Sequence, residues 1–218
     1  GGNFDWTADP KRQPLFNEPD ASYGGAIWGK AVPELTGANV AFAVRARVVL
    51  LRDLGAALAP DNAFGIIQGL ETVALRMKQH CENAKKVVDY LLKHKEVSRV
   101  IYPTEHKGEI ADRATKYLKG GKGGLVGIEL KGGIKAGKKF IEALKMFYHV
   151  ANIGDARSLA IHPASTTHSQ LNEEQLLASG VTQGYVRLCI GIEHIDDIIE
   201  DLDQALNRSS KKDLKAVS

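Results

Sequence analysis

The chain has 218 residues, 44% hydrophobic and 25% charged, and this ordinary globular composition excludes a disordered chain, a collagen or a mini-protein. Its formal net charge is +3, with basic and acidic residues interspersed, so no nucleic-acid partner is expected. No apolar run has the length of a membrane span, and Cys81 and Cys189 lie in apolar segments without metal-binding spacing, which predicts a soluble, cytoplasmic protein with reduced thiols.

The first 91 residues divide into an irregular segment and a helical one. The first sixty residues are turn-rich and then apolar and arginine-rich, and we expect no separate core from them. They begin at Gly1 without an initiator Met, and they read like the interior of a fold, so we expect a fragment. Apolar residues then recur every three or four positions from Phe64 to Leu91, with Asp61 as N-cap, which predicts one long helix linking two domains.

Beyond the helix, short apolar runs alternate with helical patterns, which is typical of a small α/β domain. The predicted strands cover residues 97–102, 125–130 and 186–192, with an extended stretch at 149–153, and the predicted helices cover 110–118, 136–146 and 195–206. Asn172 and Gln175 form a capping-box pair for a further short helix that Gly180 ends. The acidic residues of the last helix are expected on its solvent side.

Arg187 stands out because it interrupts an otherwise apolar strand. A charged side chain there is costly unless a partner meets it, and a guanidinium held on a strand offers a planar fork that suits a carboxylate or phosphate. An arginine on a wet sheet face, paired with a neighbouring Asp or Glu, would produce the same pattern. Spacing alone leaves both interpretations open.

A second candidate is the segment 151–168, which is rich in small polar residues, Gly and Pro. Such a composition is typical of a positioned ligand-binding loop, but on composition alone a turn-rich surface connection is favoured. His162 and His168 are six residues apart across a proline and no carboxylate or cysteine completes a metal set, so no metal site is predicted. The glycines of 120–124 lack the Ser/Thr of a phosphate loop and favour a flexible turn.

Three of these segments together resemble the C-terminal signature of the Cys/Met-metabolism family of pyridoxal-phosphate enzymes: NIGDARSL at 152–159, HPASTTH at 162–168 and RLCIGIE at 187–193. Five further segments are similar to the O-acetylhomoserine sulfhydrylase branch of that family. They are GGNFDW at 1–6, VRAR at 44–47, LRDLGA at 51–56, QGLET at 68–72 and LRM at 75–77. The resemblance therefore runs through nearly the whole chain.

This resemblance implies an α/β fold, the C-terminal fragment of a PLP-dependent transferase of fold type I. Residues 1–78 would be the tail of the large PLP-binding domain with the linking helix, 79–208 the small C-terminal domain, and 209–218 a frayed basic tail. Pyridoxal 5'-phosphate would be bound mainly by a missing N-terminal part that carries the Schiff-base lysine. No catalytic or cofactor-binding residue is then expected in this chain, and the isolated fragment would be inactive. Family members assemble as homotetramers of catalytic dimers.

The activity that the resemblance implies is replacement of acetate in O-acetyl-L-homoserine by sulfide or a thiol, giving homocysteine or methionine. Arg187 would bind the substrate α-carboxylate bidentately, helped by the backbone amide of Asn152 and by Thr167. Fixing the carboxylate orients the Cα–H bond for reaction. A cystathionine γ-synthase or γ-lyase of the same family is an alternative, and a non-catalytic assembly module is an alternative from another class.

Lys116 lies in a segment, Ala114 to Tyr117, that is similar to the family's lysine motif. Arg113 stands where that motif has a serine, and Leu118 follows where the family continues towards a glycine turn. We therefore expect Lys116 to be an ordinary surface residue of the small domain.

Overall fold

The computed structural model describes Gly2 and residues 4–210. The chain divides into two compact units, Gly1–Ile67 and Gln68–Ser218. The domain boundary expected between residues 78 and 79 of a complete protein stays a prediction.

The first unit has a small core of its own, which the sequence analysis did not anticipate. Its helices are α1 (Pro14–Asn17), α2 (Trp28–Thr36), α3 (Ala41–Arg45), a π-helical segment (Ala46–Leu51) and α4 (Arg52–Leu54). Phe16, Trp28, Val32 and Ala41 are buried together. The indole of Trp28 donates a hydrogen bond to Asp20 (2.9 Å). The expectation of no separate core was therefore wrong.

The predicted long helix is present as two helices, α5 (Pro60–Glu71) and α6 (Val73–Leu91), separated at Thr72. The Arg76 side chain spans this break: its Nη2 donates to the carbonyl of Gly69 (2.6 Å) and its Nε donates to the hydroxyl of Thr72 (3.2 Å). The apolar periodicity continues through the break, so the prediction of one uninterrupted helix was wrong only at that residue.

The second unit contains a five-stranded sheet. Its strands are β1 (Val97–Ile101), β2 (Leu125–Leu130), β3 (Tyr148–His149), β4 (Leu159–Ile161) and β5 (Tyr185–Cys189), in the spatial order β1-β2-β5-β4-β3. All neighbours are antiparallel except β3 and β4. Strand β2 has the predicted bounds, whereas β4 lies inside the segment that was predicted to be a loop.

Four further α-helices lie in the described part of this unit: α7 (Glu109–Tyr117), α8 (Gly133–Ala143), α9 (Glu173–Ala178) and α10 (Ile195–Ser209). Apolar side chains of α6, α8 and α10 pack against one face of the sheet and form the main core. The predicted capping box of α9 is confirmed, since the Asn172 side chain accepts from the Gln175 amide and the Gln175 side chain accepts from the Asn172 amide. Alternation along β5 places Arg187 on the opposite face from Val186 and Leu188, which belong to the core.

Two details of α10 differ from the sequence analysis. Asp201 was expected on the solvent side, but it is buried and accepts hydrogen bonds from three consecutive backbone amides, those of residues 145–147. Ser209 was assigned to a frayed tail, but it is the last residue of α10 and is buried. The rest of that predicted tail, residues 211–218, lies outside the described residues.

Candidate functional site

Arg187 lies at the middle of β5, between the two strands that pair with it. Its backbone partners are Gly127 of β2 and Ile161 of β4. The side chain is half-buried, while Val186 and Leu188 on either side are fully buried on the helical face. The sheet therefore holds the Arg187 backbone rigidly and presents its guanidinium on the face that the main core does not use.

The Arg187 guanidinium is incompletely hydrogen-bonded. Its Nη2 donates to the carbonyl oxygen of Asn152 (3.2 Å), and its Nε is buried without a partner. Within the described part of the chain, no Asp or Glu forms an ion pair with it. A buried donor left unpaired costs about 1 to 3 kcal/mol. One oxygen of an incoming carboxylate would accept from Nε while the other accepts from an Nη group. These contacts favour a ligand-binding arginine over a structural ion pair.

Asn152 contacts Arg187 through its backbone carbonyl group, whereas the predicted role of its backbone amide is to bind the substrate carboxylate. The same carbonyl oxygen lies 3.4 Å from the Cys189 sulfur, and the Asn152 side chain accepts from the amide of Ile153 (2.9 Å). Burial raises the pKa of the Cys189 thiol, although the nearby Arg187 opposes this shift. The Cys189 thiol is therefore protonated at neutral pH and donates to the Asn152 carbonyl oxygen. That oxygen accepts from both Cys189 and Arg187.

Thr167 is exposed, and its hydroxyl lies 2.9 Å from Nδ1 of the adjacent His168. Among the residues that the structure describes, no hydrogen bond joins Thr167 to Arg187. The proposed roles of Thr167 and of the Asn152 amide in binding a carboxylate stay predictions.

His162 has a structural environment. The ring is fully buried; its Nε2 lies 2.8 Å from the carbonyl oxygen of Gln183 and its Nδ1 lies 2.8 Å from the hydroxyl of Ser165. Burial lowers the pKa of His162, so the ring is neutral, with Nε2 as the donor to Gln183. Across the described residues, no cluster of three or more His, Cys, Asp or Glu side chains could hold a metal ion.

A pocket of about 260 Å³ lies beside the contact between Asn152 and Cys189. Cys189 and Ile153 form part of its wall, together with Met77 of α6 and Leu125 of β2. Its lining also includes the charged side chains of Arg76, Lys122 and Asp155, so both apolar and charged groups face the pocket.

Comparison with known proteins decides the family. Residues 23–207 match the family described as Cys/Met metabolism PLP-dependent enzymes. The chain belongs to this family. The resemblance found in the sequence and the expected PLP-dependent α/β fold are thereby confirmed.

Several curated relatives of this family are sulfhydrylases. O-acetyl-L-homoserine sulfhydrylase from Leptospira meyeri is 48% identical over 94% of this chain, and O-acetyl-L-homoserine sulfhydrylase 1 from Thermus thermophilus is 45% identical over 94%. Homocysteine synthase from Schizosaccharomyces pombe is 43% identical over 94%. The chain covers 47% of each of these proteins, so it spans about half the length of the curated relatives it matches.

A solved structure agrees with this assignment. The putative O-acetylhomoserine (thiol)-lyase from Campylobacter jejuni superposes with a TM-score of 0.78 at 41% identity, covering 90% of this chain and 45% of that one. It contains a pyridoxyl-lysine monophosphate residue. That structure therefore shares both the fold of this chain and the cofactor chemistry of the family.

Lys116 and Lys122 both have local contacts that are typical of structural lysines. Lys116 is exposed on α7 with its ammonium 5.2 Å from the centre of the Tyr117 ring, as expected for a surface residue. The ammonium of Lys122 donates to the carbonyls of Ala114 (3.2 Å) and Leu118 (2.8 Å). Neither lysine has the free, enclosed amine that pyridoxal phosphate requires.

Two residues near the site were not singled out by the sequence analysis. Ser158 is fully buried, and Glu193 follows β5 and binds it through both carboxylate oxygens. Both lie inside the family signature segments, but no spacing rule indicates that residues 35 positions apart are in contact.

Within the described helices, none has the length and hydropathy needed to cross a bilayer.

Proposed function

We propose that this chain supplies the substrate-carboxylate site of a PLP-dependent O-acetyl-L-homoserine sulfhydrylase. The observation that carries the proposal is the Arg187 guanidinium, held on the central strand with a buried Nε that lacks a partner. The similarity to curated sulfhydrylases over 94% of the chain supports the choice of substrate and of sulfide or a thiol as the nucleophile.

The role of Arg187 in this reaction is orientation. Its planar fork would bind both oxygens of the α-carboxylate, which fixes the position and plane of that group and helps to orient the Cα–H bond for reaction. Asn152 keeps one side of the guanidinium hydrogen-bonded and leaves Nε for the substrate. The bound cofactor would supply the electron sink for the reaction. Acetate leaves the γ-carbon and the sulfur nucleophile takes its place, which gives homocysteine from sulfide.

Several further features belong to the same proposal. The cofactor and its lysine would be supplied by the half of the relatives' length that this chain does not span, so the chain alone would be inactive. The resemblance supports a homotetramer built from catalytic dimers. It also supports a cytoplasmic location.

The test is the kcat/KM for O-acetylhomoserine in the PLP-loaded enzyme that contains this chain. Arg187→Ala should cost about 2 to 5 kcal/mol of carboxylate recognition, or roughly 30-fold to several thousand-fold in kcat/KM. Arg187→Lys should recover part of the loss, since lysine lacks the planar fork. Arg99→Ala is the matched control, because Arg99 lies on β1 of the same sheet, is exposed and pairs with Glu129 (3.7 Å).

An Arg187→Ala enzyme with unchanged kcat/KM would refute the proposal. Release of an α-keto acid from an unactivated amino acid, without consumption of sulfide, would instead favour the γ-lyase alternative.

A further inference from the structure

Two segments meet beside the candidate site: the clamp loop, residues 152–158, and the β5 exit, residues 190–193. The Glu193 carboxylate joins them, with one oxygen accepting from the amide of Ser158 (2.6 Å) and the other from its hydroxyl (2.9 Å). The Ser158 hydroxyl oxygen in turn accepts from the amide of Gly191 (2.9 Å). The clamp loop is thus tied to the β5 exit by a reciprocal set of three hydrogen bonds.

The approach of these two segments is close enough to require glycine at position 191. A Cβ there would collide with the Glu193 carboxylate and would lie 2.6 Å from the carbonyl oxygen of Ala156. That carbonyl also accepts from the amide of Ile192 (2.9 Å). Backbone and side chain therefore hold the same contact.

The β5 exit is itself fixed to α6. The Asn83 side chain donates to the carbonyls of Gly191 (3.0 Å) and Glu193 (2.9 Å), and Nδ1 of His80 lies 2.6 Å from the carbonyl of Ile190. Asn83 and His80 are both buried. Since α6 packs in the main core, Glu193 is attached to a rigid part of the unit.

We propose that Glu193 is a positioning residue: by binding Ser158 it holds the clamp loop, and the Asn152 carbonyl of that loop orients the Arg187 guanidinium. Residues 152–157 are exposed, and the loop is held at Ser158 by Glu193, at the Ala156 carbonyl by the Ile192 amide, and at Asn152 by Arg187 and Cys189. Loss of the Glu193 carboxylate removes the two hydrogen bonds that it accepts from Ser158 and leaves the backbone contacts, so this end of the loop is held less firmly and the Asn152 carbonyl places Nη2 less accurately. This inference rests on the proposed function, in which Arg187 binds the substrate carboxylate.

The experiment measures KM and kcat for O-acetylhomoserine in the PLP-loaded enzyme. Glu193→Ala should raise KM about tenfold and change kcat less than about twofold, because it loses charge-assisted bonds that order the carboxylate site. Glu193→Gln should fall in between, since its amide oxygen can still accept from Ser158. Glu200→Ala, an exposed carboxylate on α10, is the control and should leave both constants unchanged.

A double-mutant cycle separates positioning from a general structural role. If Glu193 acts through Arg187, Glu193→Ala should add almost nothing to KM in the Arg187→Ala background. Independent, multiplying effects of the two substitutions would overturn the inference and leave the proposed function intact. An Arg187→Ala variant with normal KM would overturn both. If Glu193→Ala does not fold, Ser158→Ala, which removes only the hydroxyl, decides by the same cycle.

Discussion

Asp201→Asn tests how strongly one buried carboxylate stabilises the second unit. The Asp201 oxygens accept from the backbone amides of Lys145 (2.9 and 3.2 Å), Met146 (2.8 Å) and Phe147 (3.2 Å), and from the side chain of Gln204 (2.9 Å). An asparagine of the same shape would place an NH2 group against backbone N–H donors. At about 1.5 to 3 kcal/mol for each bond to a charged group, with partial relaxation, the loss should be about 2 to 4 kcal/mol.

The assay is thermal unfolding of the enzyme, combined with hydrogen exchange of the amides at 145–147. A loss of that size lowers Tm by about 4 °C or more in a domain of this length, and these three amides should exchange faster than in the parent protein. Glu200→Gln makes the same carboxylate-to-amide change at an exposed position of the same helix and should have almost no effect. A Tm within about 1 °C of the parent protein for Asp201→Asn would refute the reasoning, because the donors would then have found other partners.

Two further predictions concern His162. Gly137→Ala should lower the free energy of unfolding by about 1 to 3 kcal/mol, because the new Cβ would overlap the His162 ring and disturb its hydrogen bond to Gln183. Gly65→Ala is the control and should be neutral or stabilising, because a Cβ there meets open space. Equal Tm values for the two variants would contradict this prediction. Burial lowers the pKa of His162 from 6.5, so the unfolded chain takes up a proton at a higher pH than the folded protein does. Tm should therefore fall as the pH drops below about 6.5, and it should fall less steeply in His162→Gln. Parallel profiles of Tm against pH for the two proteins would show that another group is responsible.

Much of the fold could be predicted from periodicity because long amphipathic elements repeat one signal many times. Strand β2 and the helices α7, α8 and α10 were found within a few residues of their bounds. Strand β4 was missed because its three residues are all buried, so no alternation marks it. The break at Thr72 was missed because hydrogen bonds from Arg76, and not a change in the apolar pattern, stabilise it.

The candidate site was predictable only in part. Arg187 could be found because a charge inside an apolar strand is unusual, but whether a carboxylate of the chain pairs with it depends on tertiary contacts. The burial of Asp201 was equally hidden, since it follows Ile198 by about one helical turn and the backbone amides that bind it lie more than 50 residues away in the chain. Polar residues satisfied by distant backbone groups leave no periodic signal.

The strand order β1-β2-β5-β4-β3 has a consequence for how the polypeptide folds during its synthesis. Strand β2 pairs with β5, whose first residue, Tyr185, lies about 55 residues beyond Leu130, the last residue of β2. At roughly 5 to 20 residues per second, a ribosome needs about 3 to 11 s to make that stretch. During this interval β2 has β1 as its neighbour and an open edge on the other side, where a chaperone or a second nascent chain can bind. The strand that carries Arg187 is the last to be made, and it pairs with β2 on one side and with β4 on the other.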